Sequence, residues 1–103
     1  MLLIREVFHC KPGKVRPMVE KFLAMSAVTE KLGMGKSRVL TDFAGDRYWT
    51  IISEWEVPSM AAFEEMMKPE GQNAEVMKQF DDIMKGYHDL VDHGHREIYK
   101  VEG

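Results

Sequence analysis

Residues 2–15 read Leu-Leu-Ile-Arg-Glu-Val-Phe-His-Cys-Lys-Pro-Gly-Lys-Val, an apolar run that halts at a proline and a glycine and resumes with a different period. Leu2 to Cys10 is rich in aliphatic, aromatic and β-branched residues and too short for a good helix, so it reads as a strand. Pro12-Gly13 breaks it. From Lys14 to Leu32 the apolar positions Val15, Met18, Val19, Phe22, Met25 and Leu32 recur at helical spacing, and Gly33 and Gly35 follow where a helix C-terminus takes glycine. Lys11-Pro12-Gly13-Lys14 has neither the GxGxxG nor the GxxxxGK[ST] pattern of a phosphate-binding loop. It reads as a turn between strand and helix, in which Pro12 fixes a dihedral and Gly13 permits the bend.

Further along, Ser37 to Ala44 and Arg47 to Val57 are two strand-like runs, and Gly45-Asp46 between them predicts a two-residue hairpin turn. Pro58 stops the second run and suits the first turn of a helix, Ser59 to Met67, that ends before Pro69-Glu70-Gly71. Asn73 looks like the N-cap of a longer helix. At about 100° per residue, Val76, Phe80, Ile83, Met84, Tyr87, Leu90 and Val91 share one side of it, with Lys78, Asp82, Lys85 and Asp89 opposite. Gly94 then punctuates, and His95 to Val101 makes a last strand. The order β-α-β-β-α-β, with its second helical part in two pieces, is the ferredoxin-like, split βαβ arrangement of the α+β class. The first strand is expected between the third and fourth, parallel to one and antiparallel to the other.

The 103 residues suit one domain, 1–103, that buries only about two thirds of its unfolded surface. Net charge is −3, with acidic and basic residues interleaved. No basic stripe appears, which argues against a nucleic-acid partner. The single Cys10 rules out an internal disulfide and fits a reducing compartment. Met1-Leu2-Leu3-Ile4 is too short for a signal segment, and no apolar run approaches the roughly 20 residues that span a bilayer. The expectation is a cytoplasmic protein with no membrane partner.

Two helical layers cover only one face of a four-stranded sheet. Trp49, Ile51, Ser53, Trp55 and Val57 share one face of the third strand and suit a position under the helices. Tyr48, Thr50, Ile52, Glu54 and Glu56 form a mixed face, as expected of a surface buried against something else. In the first strand Ile4, Glu6, Phe8 and Cys10 alternate with Leu3, Arg5, Val7 and His9, so neither side is simply wet. Pairing two such sheets face to face predicts a homodimer.

The whole chain resembles the dimeric α+β barrel superfamily, which includes antibiotic-biosynthesis monooxygenase-like and NIPSNAP-like proteins. The resemblance rests on Leu3-Ile4-Arg5-Glu6-Val7-Phe8 running into Lys11-Pro12-Gly13-Lys14, with Val19 and Phe22 beyond. It rests also on Ile51-Ile52-Ser53-Glu54-Trp55-Glu56 running into Ser59-Met60-Ala61-Ala62-Phe63. It implies a four-stranded antiparallel sheet with helices on one face and a pocket between them for a small hydrophobic or aromatic molecule. The superfamily spans oxygenases, haem-degrading enzymes, isomerases and proteins without known activity, so fold does not fix function.

Glu6 is the leading candidate for a catalytic base. Alternating with Ile4 and Phe8, it faces the helices, where burial disfavours the charged form and raises a carboxyl pKa. The alternative is an ion pair with Lys or Arg of a neighbouring strand or of the partner subunit. Trp55 matches the tryptophan that lines the pocket in many relatives, and also suits a core filler. With Phe8, Ile4, Met84 and His88 it makes the expected binding set. Trp49 is expected to be core alone.

In haem-degrading relatives a helical histidine ligates iron, but residues 72–76 carry none and His88 comes some four turns later, so no haem or other cofactor is expected. His9, His93 and His95, with Cys10, come near one another in this topology and are suitable zinc or copper ligands, yet no CxxC or HExxH pattern supports a metal site. Cys10 with a histidine lacks an orienting third group for nucleophilic catalysis. Most of the nine methionines suit core packing.

Overall fold

The computed structural model describes residues 1–31, 35–67 and 74–103. Strand β1 is Leu2–Cys10, helix α1 Val15–Lys31, β2 Arg38–Thr41, β3 Thr50–Val57, α2 Met60–Met67, α3 Ala74–Met84, and β4 Val91–Lys100. The sheet order is β2-β3-β1-β4, with every neighbouring pair antiparallel. The expected ferredoxin-like order is present, and one detail is corrected: β1 runs antiparallel to both β3 and β4. The helix α1 returns the chain so that β2 runs parallel to β1. The space left between them is filled by β3, which must run the other way after its connection from β2.

Register assigns the faces. Leu2, Ile4, Glu6 and Phe8 stand opposite Val57, Trp55, Ser53 and Ile51 of β3, and these lie under the helices. Against that face α1 buries Met18, Val19 and Phe22, forming one cluster with Cys10 and Ile51. A second cluster joins Ile4 and Val57 to Phe63 of α2. Ile4, Met18 and Ile51 are fully buried. Ser59 Oγ accepts the Ala62 N–H at 3.2 Å and so caps α2. Lys21 Nζ donates to the carbonyls of Ile83 (2.9 Å) and Lys85 (2.8 Å), tying α1 to the C-terminal end of α3, where a cation also complements the helix dipole.

Several boundaries differ from the sequence reading. The connection from β2 to β3 is the eight-residue segment 42–49, not a two-residue turn at Gly45-Asp46. Because β3 begins only at Thr50, strand alternation never reaches Trp49. Trp49 is 42% exposed with φ +62° and is not core. The left-handed region is costly for a bulky residue. Here it is held by the Cys10 N–H donating to the Trp49 carbonyl at 2.8 Å, and by Asp42 Oδ1 accepting the Thr50 N–H at 2.8 Å.

The last helix is also shorter than expected. It stops at Met84 because Gly86 takes φ +82°, which leads into a single 3-10 turn, Tyr87–Asp89. Val91 to Gly94 then belong to β4, which tracks nearly the whole length of β1, with a register shift between His9 and Cys10. The expected Asn73 cap, Leu32 and Gly33, and the 69–71 turn lie outside the described residues.

Candidate functional site

A cavity of about 300 Å³ opens between sheet and helices. Glu6 and Phe8 of β1 and Ser53 and Trp55 of β3 form its sheet side. Phe22 and Met25 of α1, Met66 of α2, and Phe80 and Met84 of α3 close it from above. It exists because strand alternation puts a charged and a small residue, Glu6 and Ser53, directly opposite each other where bulky pairs would fill the gap. At its rim Ser37 Oγ donates to Ser26 Oγ at 2.7 Å. Few polar groups in an apolar concavity is the usual composition of a small-molecule site.

The charged group at the wall is not alone. Register sets Arg96 of β4 opposite Glu6, and Arg96 Nε donates to Glu6 Oε1. The same guanidinium lies 5.0 Å from the centroid of the Phe63 ring. Glu6 therefore takes the paired arrangement weighed from the sequence while still lining the cavity. Beside it, Phe8 lies over Gly94 of the adjacent strand, with its ring in the space that a side chain at 94 would take.

The opposite face of the sheet is not covered by any described helix, and its chemistry differs. Glu54 is only 6% exposed there, hydrogen-bonded by Arg38 Nη2, with Arg5 Nε 3.4 Å from its other oxygen. Glu97 accepts from Arg5 Nη1 (3.4 Å), His95 Nε2 (2.8 Å) and Tyr99 Oη (3.1 Å). The His95 hydrogen bond first, then Tyr99 and the Arg5 charge, hold the Glu97 carboxyl below its ordinary pKa against the opposing effect of burial. At the strand end, the His9 ring centroid is 4.7 Å from that of His93 and 5.9 Å from that of His95. The expected proximity of these three is realised, and His93-Gly94-His95 lies in a strand rather than a loop. Among the described residues no three His, Cys, Asp or Glu side chains are placed to hold a metal ion.

No family model matches the sequence, and no curated protein matches it. Solved structures do. A NIPSNAP family protein of unknown function from Agrobacterium tumefaciens superposes with a TM-score of 0.73 at 15% identity, over 98% of this chain and 87% of that one. A second NIPSNAP family protein from the same organism gives 0.73 at 10% identity, over 96% and 90%. A candidate antibiotic biosynthesis monooxygenase from Deinococcus radiodurans gives 0.65 at 10% identity, over 100% and 94%. The chain has the NIPSNAP and antibiotic-biosynthesis-monooxygenase fold. At these identities the likeness is one of fold alone, and site chemistry must come from the residues.

Within this NIPSNAP-like fold Glu6, Phe8, Trp55 and Met84 of the residues singled out from the sequence line the cavity. Ile4 does not line it; it is fully buried with Val57 and Phe63 beneath Trp55. His88 does not line it either: the helix ends before reaching it, and it sits exposed on the 3-10 turn with its ring 3.9 Å from that of Tyr87, bordering a second hollow that Glu6, Phe8 and Arg96 also line. Sequence reasoning missed Arg96. Its signal was available only once β4 was known to begin at Val91, which fixes the Glu6–Arg96 pairing. Cys10 is buried, and its thiol pKa is raised by desolvation first and by Asp42 and Asp92 next. A thiol of this kind is expected to react with Ellman's reagent at pH 7.5 on the order of 100-fold more slowly in the native protein than in guanidinium. Equal rates would contradict the burial.

Among the described residues no helix is long and apolar enough to cross a membrane.

Proposed function

We propose that the chain acts as a homodimer in which each subunit binds one small, mostly hydrophobic or aromatic molecule in the cavity between sheet and helices. The observation that carries this reading is the cavity itself: about 300 Å³, walled by Phe, Met and Trp side chains, with one carboxylate–guanidinium pair at its edge. Aromatic and thioether walls favour a flat apolar ligand, and the Glu6–Arg96 pair offers it an acceptor and a donor for orientation. Pairing is supported by the uncovered sheet face, where Tyr99 is 49% exposed beside the Arg5–Glu54–Arg38 and Glu97 networks. Three strands about 30 Å long and a β2 of about 13 Å, spaced about 4.8 Å apart, give a face of roughly 500 Å². The loop 42–49, with Phe43 and Tyr48 fully or nearly exposed, borders it and extends the surface toward the ~800 Å² per partner of a stable interface.

A catalytic role has one specific support. Glu6 Oε2 is free of the Arg96 hydrogen bond in a cavity walled largely by apolar side chains, where proton abstraction from an acidic C–H or O–H would feed cofactor-independent oxygenation or isomerisation. Native mass spectrometry of the protein as purified tests the binding and pairing together. A dimer with one extra mass per subunit is expected, and a bare monomer would remove both. Glu6→Gln then separates the two roles on the ligand so identified. If Glu6 is a base, turnover falls by about 10²–10⁴-fold with the dimer intact. If it only orients ligand, binding weakens and no turnover is seen in either form.

A further inference from the structure

We propose that His93, backed by His9 and His95, forms a proton-sensitive latch with Arg47 that ties the aromatic loop 42–49 to the end of the sheet. The loop is unusual for a surface turn. Phe43 is 104% exposed and Tyr48 84%, and Trp49 at its base takes a left-handed backbone conformation. Its two ends are held by the Cys10–Trp49 backbone bond and the Asp42–Thr50 contacts. Among the described residues its middle is tied to β4 by the contact of Arg47 Nη1 with His93 Nε2 at 3.1 Å.

The donors and acceptors settle the protonation states. A guanidinium only donates, so His93 Nε2 must accept and carries no proton while the bond exists. The Thr50 hydroxyl donates to the Arg47 carbonyl at 3.1 Å, which spends its hydrogen. Its oxygen therefore accepts from His9 Nδ1–H at 3.2 Å, and His9 is left with an unprotonated Nε2 when neutral. A proton taken from solvent onto His93 Nε2 removes the acceptor and sets imidazolium against guanidinium. The bond to Arg47 then breaks outright rather than weakening.

The surrounding charges favour release on acidification. Around the contact stand His9 from β1, His93 and His95 from β4, and Arg47 from the loop, groups that all carry positive charge when protonated. Opposing them are Asp46 from the loop, and Glu97, which is already engaged by His95, Arg5 and Tyr99. Asp42 is occupied by the Thr50 N–H, and Asp92 flanks the cluster beside His93. Burial first, then Arg47, His93 and His95, lower the His9 pKa from 6.5, with Asp46 pulling the other way. A base whose pKa is depressed in the folded arrangement costs nothing above its ordinary value, and its penalty grows as pH falls below 6.5. The latch is closed at neutral pH and opens in mild acid. The latch shares this loop with the face proposed for pairing, so the oligomeric state is measured by sedimentation at both pH values alongside the order of the loop.

Backbone ¹⁵N relaxation of the full chain at pH 7.5 and 5.5 tests it. In wild type the order parameters of residues 43–48 are expected to fall from about 0.85 to below about 0.6 on acidification, while the strands hold. His93→Gln, whose amide oxygen accepts but does not titrate, is expected to abolish the difference between the two pH values. Arg47→Ala is expected to give a loose loop at both. A wild-type loop equally ordered at both pH values, or a full acid response surviving in His93→Gln, overturns the latch.

Discussion

Replacing Glu54 by alanine is expected to destabilise the protein by about 3 kcal/mol, which for a domain of this size lowers Tm by on the order of 15 °C. The carboxylate is buried on the uncovered face, between Arg38, whose side chain is largely exposed, and Arg5, whose side chain is only 28% exposed. Arg38 loses little when its partner goes, since water solvates it. Arg5 cannot escape so easily: its Nε is already buried without a hydrogen bond, and without Glu54 its charge is answered, among the described residues, by Glu97 alone. The cost is mainly that of leaving a half-buried cation short of partners, not the worth of the pair.

That distinction has its own test. Replacing both partners with apolar side chains, Arg5→Met with Glu54→Leu, is expected to restore most of the loss or exceed wild type. Thermal melts at one protein concentration compare the three. A single variant within about 0.5 kcal/mol of wild type would mean that the network contributes nothing measurable.

Gly94→Val sets two effects in opposition. Strand propensity favours valine over glycine by up to about 1 kcal/mol, so a reading of β4 alone expects stabilisation. Sterics say otherwise. A Cβ at 94 would lie 2.6 Å and 2.8 Å from two carbons of the Phe8 ring and 3.1 Å from the Val7 carbonyl oxygen. The ring is stiff and backed by Phe22, at 5.5 Å between centroids, so it cannot move without disturbing the cavity wall. Overpacking of this order costs about 2–3 kcal/mol, and it wins. Destabilisation with reduced ligand uptake is expected, partly relieved by combining the change with Phe8→Ala. A more stable protein with unchanged uptake would sink the argument.

Much of this was legible in the sequence, and for identifiable reasons. The period change at Pro12-Gly13 gave the first strand and helix, and alternation in β1 and β3 put Glu6, Phe8 and Trp55 on one face. Those signals are local, so they survive without a partner in view. What failed was decided at a distance. Gly94 resembles a breaker until Phe8 of another strand occupies its empty side. Gly86 sits inside an unbroken amphipathic pattern, so the helix seems to run on through Tyr87 and Leu90. Trp49 continues the alternation of β3 in sequence, yet Cys10 and Asp42 hold the chain in a bend there. Arg96, the partner of Glu6, became visible only with the register of β4.

The pairing of β1 with β4 also sets a timetable. In vectorial synthesis β1 is made first and β4 last of the four strands, and the pairing of Arg5 with Glu97 in the finished sheet joins positions 92 apart in sequence. Until β4 emerges, the nascent chain can assemble β1, β3 and α1 but must carry a long open edge on β1, which is the kind of surface that recruits other strands. Slowing translation at any point between β1 and β4 prolongs that exposure.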